Sequence, residues 1–216
     1  MLRIIGGAWR GRKLRFPPSP EIRPTPDRVR ETLFNWLMPR IVGARCLDLF
    51  AGSGALGLES LSRGAAHVTF VERDSAAVRE LRARLSEWGV AGRTAPSGRN
   101  PDDRSAAKGI PRSASGATWE KPLGPDAGAQ VEQSDALRFL AGRGGPYDIV
   151  FLDPPFDSDL LAAVAGRLEQ GSWLAPGALI YMECAARDGL PPLPPTWVTT
   201  KAKQAGEVGY HLLTRA

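Results

Sequence analysis

The chain has 216 residues, 43% of them hydrophobic and 24% charged, which suits one ordinary domain with a sizeable core and excludes wholesale disorder. The net charge of +5 is unevenly held: residues 1–40 carry nine Lys/Arg against three acids, which leaves 19 bases and 20 acids for all the rest. No apolar run approaches the roughly 18 residues of a membrane span and no signal-peptide pattern opens the chain, so a cytosolic protein without a membrane partner is expected.

In chain order, R-I-I-G-G-A-W-R-G-R-K-L-R-F reads as two short β-like runs broken at Gly6-Gly7 and Gly11, a small basic hairpin arm that with the proline-punctuated stretch after it spans residues 1–24. Its Arg3, Arg10, Arg12, Lys13 and Arg15 are candidate contacts for a polyanion through counterion release, although a basic surface is also compatible with a plain solvated face. Thr25 as N-cap, Pro26 at the first helical position and the apolar spacing of Val29, Leu33, Phe34 and Leu37 predict a helix over 26–38. Strand and helix patterns then alternate: strand 46–50, helix 55–63, strand 67–72, helix 75–88, strand 130–133, helix 136–140, strand 147–152, helix 158–170 and strand 178–183. The tail reads as two strands turning at Ala205-Gly206. This order predicts a doubly wound, mostly parallel α/β sheet of seven strands over residues 25–216, with an antiparallel hairpin at its edge. Within it, residues 91–130 read as an insertion, because twenty-three of those forty are Gly, Pro, Ser or Ala and only Ile110, Trp119 and Leu123 are large apolar groups. Cys46 and Cys184 lie in apolar stretches without metal-ligand spacing and are expected as reduced, buried thiols; no metal site is predicted.

Two motifs carry chemistry. In D-L-F-A-G-S-G-A-L-G a strand runs into Gly52-x-Gly54-x-x-Gly57 and a helix, and Glu72 follows twenty residues after Gly52. Such glycines let the backbone approach a ligand at a helix N-terminus, while a carboxylate ending the next strand can hold ribose hydroxyls. Read alone, the pattern fits a nicotinamide dinucleotide or S-adenosylmethionine. Asp48 and Ala51, which place a carboxylate and a longer turn before the first glycine, tilt it towards S-adenosylmethionine, whose amino-acid end is cationic and would suit a carboxylate. Asp135, with Ala136 opening the next helix, can accept from the adenine amine of a cofactor or simply cap its helix. Asp126 is the carboxylate next upstream should the third strand run elsewhere; Val131 and the helix start at Ala136-Leu137 favour Asp135.

The second motif is Asp153-Pro154-Pro155-Phe156, delivered by an apolar strand at its carboxyl end, where ligands bind in open parallel sheets. An exocyclic amine on a nucleobase is a poor nucleophile because its lone pair is delocalised. The Asp153 carboxylate and the Pro154 carbonyl can accept both amine hydrogens and turn that lone pair towards a methyl donor, with the two prolines holding the grip rigid. Phe156 can stack on a base taken out of its helix, or the motif is a turn whose aromatic belongs to the core. Glu183, ending a later strand, has no assigned role.

These motifs, taken together with R-I-I-G-G-x-W-R-G-R-K-L, I-R-P-T-P-D-R-V-R-E-T-L-F-N-W-L and F-V-E-R-D, closely resemble the bacterial 16S ribosomal RNA guanine-N2 methyltransferases of the RsmD type. The resemblance spans nearly the whole chain apart from 91–130. It implies a class I methyltransferase fold, S-adenosyl-L-methionine as methyl donor, and a guanine of small-subunit ribosomal RNA as substrate, within partly or fully assembled subunits. It also implies that Asp153, Pro154, Pro155 and Phe156 meet the target base and that Phe50 to Gly54, Glu72 and Asp135 surround the cofactor. Arg23, Thr25 and Arg28 match the family's pre-helix motif over its methionine end. A monomer is expected. Three other readings compete: a DNA amino-methyltransferase, for whose target-recognition region the chain has little room; a nicotinamide-dependent oxidoreductase, which gives no reason for Asp-Pro-Pro-Phe; and a non-catalytic RNA-binding module, which accounts only for the N-terminal charge.

Overall fold

Apolar strands that alternate without a polar face need cover on both sides, and the chain supplies it with helices. A computed structural model describes residues 2–14, 25–90, 127–155 and 159–216. The arm forms β1 (Leu2–Arg3) and β2 (Lys13–Leu14), an antiparallel pair with a 3-10 turn (Gly7–Trp9) between them. Then follow α1 (Asp27–Leu37), β3 (Arg45–Asp48), α2 (Ala55–Ser62), β4 (His67–Glu72), α3 (Ser75–Glu87) and β5 (Gly128–Gln133). The second half adds α4 (Ala136–Leu140), β6 (Tyr147–Leu152), α5 (Leu160–Gln170), β7 (Leu174–Ala185), β8 (Trp197–Ala205) and β9 (Val208–Arg215).

The seven-stranded sheet has the order β5-β4-β3-β6-β7-β9-β8, parallel from β5 to β7, with β9 antiparallel to β7 and β8 antiparallel to β9. From β3 the chain moves outward to β4 and β5, and from β6 outward in the opposite sense. The order therefore reverses between the neighbours β3 and β6, which opens a crevice at their carboxyl ends. Successive residues along each strand part to opposite faces, and residues two apart share one. Cys46, Val68, Phe70, Ile149, Phe151 and Tyr181 pack with α1, α2, α3 and the arm; Leu47, Val71, Val150, Leu152, Ile180 and Met182 pack with α4 and α5. Gly57 lets α2 lie close on the sheet: a Cβ there would stand 2.1 Å from the Phe70 ring.

Several elements differ from expectation. Pro26, not Thr25, is the N-cap of α1, and no side chain bonds the helix start, because the Thr25 hydroxyl is used elsewhere. β5 begins at Gly128 rather than Gln130, so the end of the proposed 91–130 insertion belongs to the sheet. Gly128 and Ala129 have loop-like composition, yet their backbones pair with His67 and Val68 and Ala129 joins the core. β3 stops at Asp48 rather than continuing to Phe50, since the glycine turn starts there, and β7 starts earlier, at Leu174, where it pairs with Tyr147. The rest of the insertion, residues 91–126, lies outside the described residues, as do Arg15, Arg23, Asp126 and Phe156. Cys46 and Cys184 are buried and free. Among the described residues no helix is long and apolar enough to cross a membrane.

The arm is bonded into the domain by one buried carboxylate. Glu59, in the middle of α2, accepts from the Ile5 and Gly6 amides, each at 2.8 Å, and from Arg63 Nε at 2.7 Å. Arg30, fully buried on α1, sets Nη1 3.6 Å from Glu59 and donates through Nη2 to the Arg3 carbonyl at 2.7 Å and to Asp27 at 2.6 Å. Ser62 accepts from the Trp9 amide at 2.9 Å, and Leu2, Ile4, Trp9 and Leu14 enter the core. Removing Glu59 strands a buried guanidinium and two amides. Glu59→Ala is therefore expected to cost about 3–5 kcal/mol in denaturant unfolding. A loss below about 1 kcal/mol, the size of an exposed ion pair, would contradict the role given to this cluster.

Candidate active site

A cavity of about 1360 Å³ opens at the carboxyl ends of β3, β4, β5, β6 and β7 and reaches the turn between β8 and β9. On one side lies the glycine turn. Gly54 precedes α2 with a left-handed backbone (φ 74°), a conformation open to glycine at little cost, and having no side chain it leaves the first helical amides without a local cap. Asp48 supplies the cap from the strand instead: its Oδ2 accepts from the Gly57 amide at 3.0 Å. Burial pushes the Asp48 carboxyl up to about 7; the Gly57 hydrogen bond opposes the rise and the Glu72 charge adds to it. Glu72 clasps the turn, accepting from the Gly52 amide at 2.7 Å and the Asp74 amide at 2.8 Å through its two oxygens. Each of those oxygens retains acceptor capacity for a ligand hydroxyl.

Across the crevice, β6 delivers Asp153 and Pro154. Asp153 is half-buried, and its Oδ2 lies 3.2 Å from Thr25 Oγ1. The same hydroxyl lies 3.0 Å from Oε1 of Glu183, a buried residue near the end of β7 that also accepts from the Tyr181 hydroxyl at 2.8 Å. Burial first, and then the Glu183 charge, hold the Asp153 carboxyl well above its ordinary range, against the Thr25 hydrogen bond. Glu183 is raised as well, by burial, with the Tyr181 and Thr25 hydroxyls opposing.

The cavity brings together Thr25, Asp48, Phe50, Ala51, Gly52, Glu72, Asp135, Ala136, Asp153, Pro154 and Pro155, out of the residues singled out from sequence. Asp135 caps α4, with Oδ1 accepting from the Leu137 and Arg138 amides at 2.9 and 3.3 Å, so a second oxygen is left for other partners. Arg28 is exposed on the first turn of α1 and is not among the lining residues, and neither is Gly54, whose part is to shape the turn. The basic arm stands apart. Arg3 pairs with Asp27 at 3.6 Å, and Arg12 lies over Trp88, 5.1 Å from its ring, and over Trp9 at 6.0 Å. Trp88 follows the last turn of α3, the end opposite Asp74, which lines the cavity. Arg10 and Lys13 are exposed.

Sequence reasoning missed the pairing of Thr25 with Asp153 and Glu183, and the reach of the cavity to Gln204, Gly206, Glu207 and Val208. Glu183 itself carried a signal, an acid ending an apolar strand. The hairpin tip carried none.

A parallel sheet closed by an antiparallel hairpin, with a glycine turn facing carboxylates across the switch point, defines the Rossmann-like fold of class I methyltransferases. The family model described as conserved hypothetical protein 95 matches residues 2–112 and 122–214. The protein named ribosomal RNA small subunit methyltransferase D in Escherichia coli is 46% identical over 214 residues, which is 99% of this chain and 90% of that protein. Its namesake in Haemophilus influenzae is 38% identical over 213 residues, 98% of this chain and 92% of that one. The solved structure of yhhF from Escherichia coli matches with a TM-score of 0.76 at 44% identity, covering 99% of this chain and 97% of that chain. The chain belongs to this family, the RsmD family of methyltransferases.

The Asp48 carboxyl provides a test of the burial in the crevice. Because its folded-state value lies above the ordinary 3.8, the folded protein keeps a proton that the unfolded chain releases, and stability falls as pH rises from about 4 to about 7. Asp48→Asn retains an oxygen for the Gly57 amide and has no charge to bury. It is expected to melt a few degrees above the wild type at about pH 8, with the gap closing near pH 4; an equal gap at both pH values would show that Asp48 is ionised throughout.

Proposed function

We propose that the protein transfers a methyl group from S-adenosyl-L-methionine to the exocyclic 2-amino group of a guanine in 16S ribosomal RNA, within partly or fully assembled small subunits. The observation that carries the reading is the presence of Asp153-Pro154 and the glycine turn in one crevice, facing each other across the strand-order reversal. The cavity of about 1360 Å³ exceeds the roughly 300–1,000 Å³ usual for one small ligand, which suits a site for a cofactor and a base together.

The chain's own groups fit the donor. The close backbone of Gly52 to Gly54, the remaining lone pairs of Glu72 and the second oxygen of Asp135 match an amino-acid end, a ribose and an adenine amine in turn. Asp48, with one oxygen on Gly57, is the carboxylate next to the cationic end, and Phe50, Ala51 and Ala136 wall the pocket around it. Thr25 borders the methionine side, with Arg28 flanking it on α1 and Arg23 assigned there by family resemblance alone. When bound, the sulfonium supplies an already activated methyl group. What remains for the protein is to orient the amine: Asp153 and the Pro154 carbonyl accept its two hydrogens. The Asp153 charge stabilises the positive charge that develops on nitrogen as the methyl–sulfur bond breaks and a neutral thioether departs, and the surplus amine proton leaves to Asp153 or to water. Pro155 stiffens that backbone, and Phe156, next in the chain, supplies a stacking face for the extruded base. Arg3, Arg10, Arg12, Lys13 and Arg15 supply charge for the RNA backbone; with Arg3 and Arg12 engaged as described, Arg10 and Lys13 are the foremost phosphate contacts. The protein works as a monomer.

Labelled methyl transfer to small subunits, naked 16S RNA and duplex DNA, run in parallel, tests the reading, and label is expected in the ribosomal RNA. Asp153→Ala should lower the rate by about 10²–10³-fold or more while calorimetric affinity for S-adenosylmethionine changes little. Labelling of DNA in preference to RNA, or an Asp153→Ala protein of full activity, would overturn it. Reversing the charge of Arg10 and Lys13 should weaken RNA binding and flatten its salt dependence by a log–log slope of roughly 1.4–1.8, at about 0.7–0.9 per phosphate contact, and spare cofactor affinity. An unchanged slope would make that charge decorative.

A further inference from the structure

Glu183 is buried in the crevice and has no part in the grip on the amine as proposed above. Thr25 Oγ1 stands between it and Asp153, 3.0 Å from Glu183 Oε1 and 3.2 Å from Asp153 Oδ2, and Tyr181 donates to that same Glu183 oxygen at 2.8 Å. A hydroxyl has one hydrogen and two lone pairs. Were both carboxyls ionised, Thr25 could give its hydrogen wholly to one of them, and its other contact would press two electron-rich oxygens together away from water. One proton held by the pair removes the conflict. With that proton on Glu183, Glu183 donates to Thr25 and Thr25 donates to Asp153, which stays a carboxylate; with it on Asp153, the chain of donors runs the other way.

We infer that Glu183, acting through the Thr25 hydroxyl, is a positioning residue that shares one proton with Asp153 and so sets whether Asp153 is an acceptor for the substrate amine. The inference rests on the role given to Asp153 under Proposed function. Docking of an N–H donor on Asp153 favours the first arrangement, because a protonated Asp153 would meet that N–H with its own hydrogen. The switch passes the Asp153 proton to Thr25 Oγ1 as the Thr25 hydrogen moves to Glu183, with no change in net charge. The titratable groups beside the pair are Asp48 from β3, Tyr181 from β7 and, in register opposite Glu183, Tyr210 from β9. Burial, then the Glu183 charge, then Asp48 raise the Asp153 carboxyl, and the Thr25 hydrogen bond lowers it.

Methylation should therefore be present above the raised Asp153 value and lost as pH falls through it. Glu183→Gln removes a charge that raises it, so the midpoint of the acid limb moves to lower pH. Thr25→Val removes the hydrogen bond that lowers it, so the midpoint moves to higher pH, and Thr25→Ser restores it. The measurement is the pH profile of single-turnover methylation of small subunits at saturating S-adenosylmethionine, with cofactor affinity and melting temperature recorded for each variant. Opposite displacements in the two variants, with rescue by serine, support the relay. If Asp153→Ala is inactive while Glu183→Gln and Thr25→Val keep the wild-type midpoint, whatever happens to their melting temperatures, the relay is wrong and the proposed function stands. If Asp153→Ala is active, the proposed function itself fails and the relay falls with it.

Discussion

Asp48, Asp153 and Glu183 lie near the ends of three adjacent strands, β3, β6 and β7; Asp48 and Glu183 are buried and Asp153 is half-buried. Taking a carboxylate out of water costs several kcal/mol unless hydrogen bonds replace the lost hydration, so each of the three dictates what stands beside it. Asp48 requires the Gly57 amide, which fixes the start of α2 and with it the glycine turn. Asp153 and Glu183 require the Thr25 hydroxyl, which fixes where the chain enters α1. The crevice exists because the strand order reverses there; its shape follows from satisfying those three groups.

The same physics operates further along α2, at Glu59, with the opposite outcome for function. Glu59 is buried among two guanidiniums and two backbone amides, which orders the N-terminal arm against α1 and α2. Its neighbours are protein groups rather than space, so it has no room to act on a ligand. What that ordering offers is a fixed platform on which Arg10 and Lys13 are exposed and Arg12 lies across two tryptophans. Charge held on a rigid hairpin loses less conformational freedom on meeting a polyanion than charge on a free tail.

The crevice is divided in a way that suits two reactants. Backbone amides and carboxylates on the β3–β4–β5 side favour a polar ligand with hydroxyl and amine groups. The β6–β7 side presents Asp153, Pro154 and the hairpin tip at Gly206 to Val208. A base entering there would meet Asp153 opposite the glycine turn, which is the alignment that amine methylation needs.

What the sequence determined by itself was everything that local periodicity and spacing encode. Short apolar runs bounded by turn residues specified the central strands, the spacing of Val29, Leu33, Phe34 and Leu37 specified α1, and the glycine turn with Glu72 and the Asp153-Pro154 end of β6 stood in the expected order along the chain. Composition misled where residues were small: Gly128 and Ala129 have loop character alone and become a strand only because β4 offers them backbone partners. Contacts across long separations were decided by the tertiary structure. Thr25 lies 128 positions from Asp153 and 158 from Glu183, and it looked like a helix cap because a threonine before a proline satisfies that local rule equally well. Glu59 lies within the expected 55–63 helix with nothing local to mark it, and the arm, more than fifty residues away, closes over it. A hydroxyl or carboxylate carries no mark in the sequence of which distant partner will take its hydrogen bond. That choice is made by the packing of apolar faces, which brings the partners within about 3 Å and removes the water that would otherwise satisfy them.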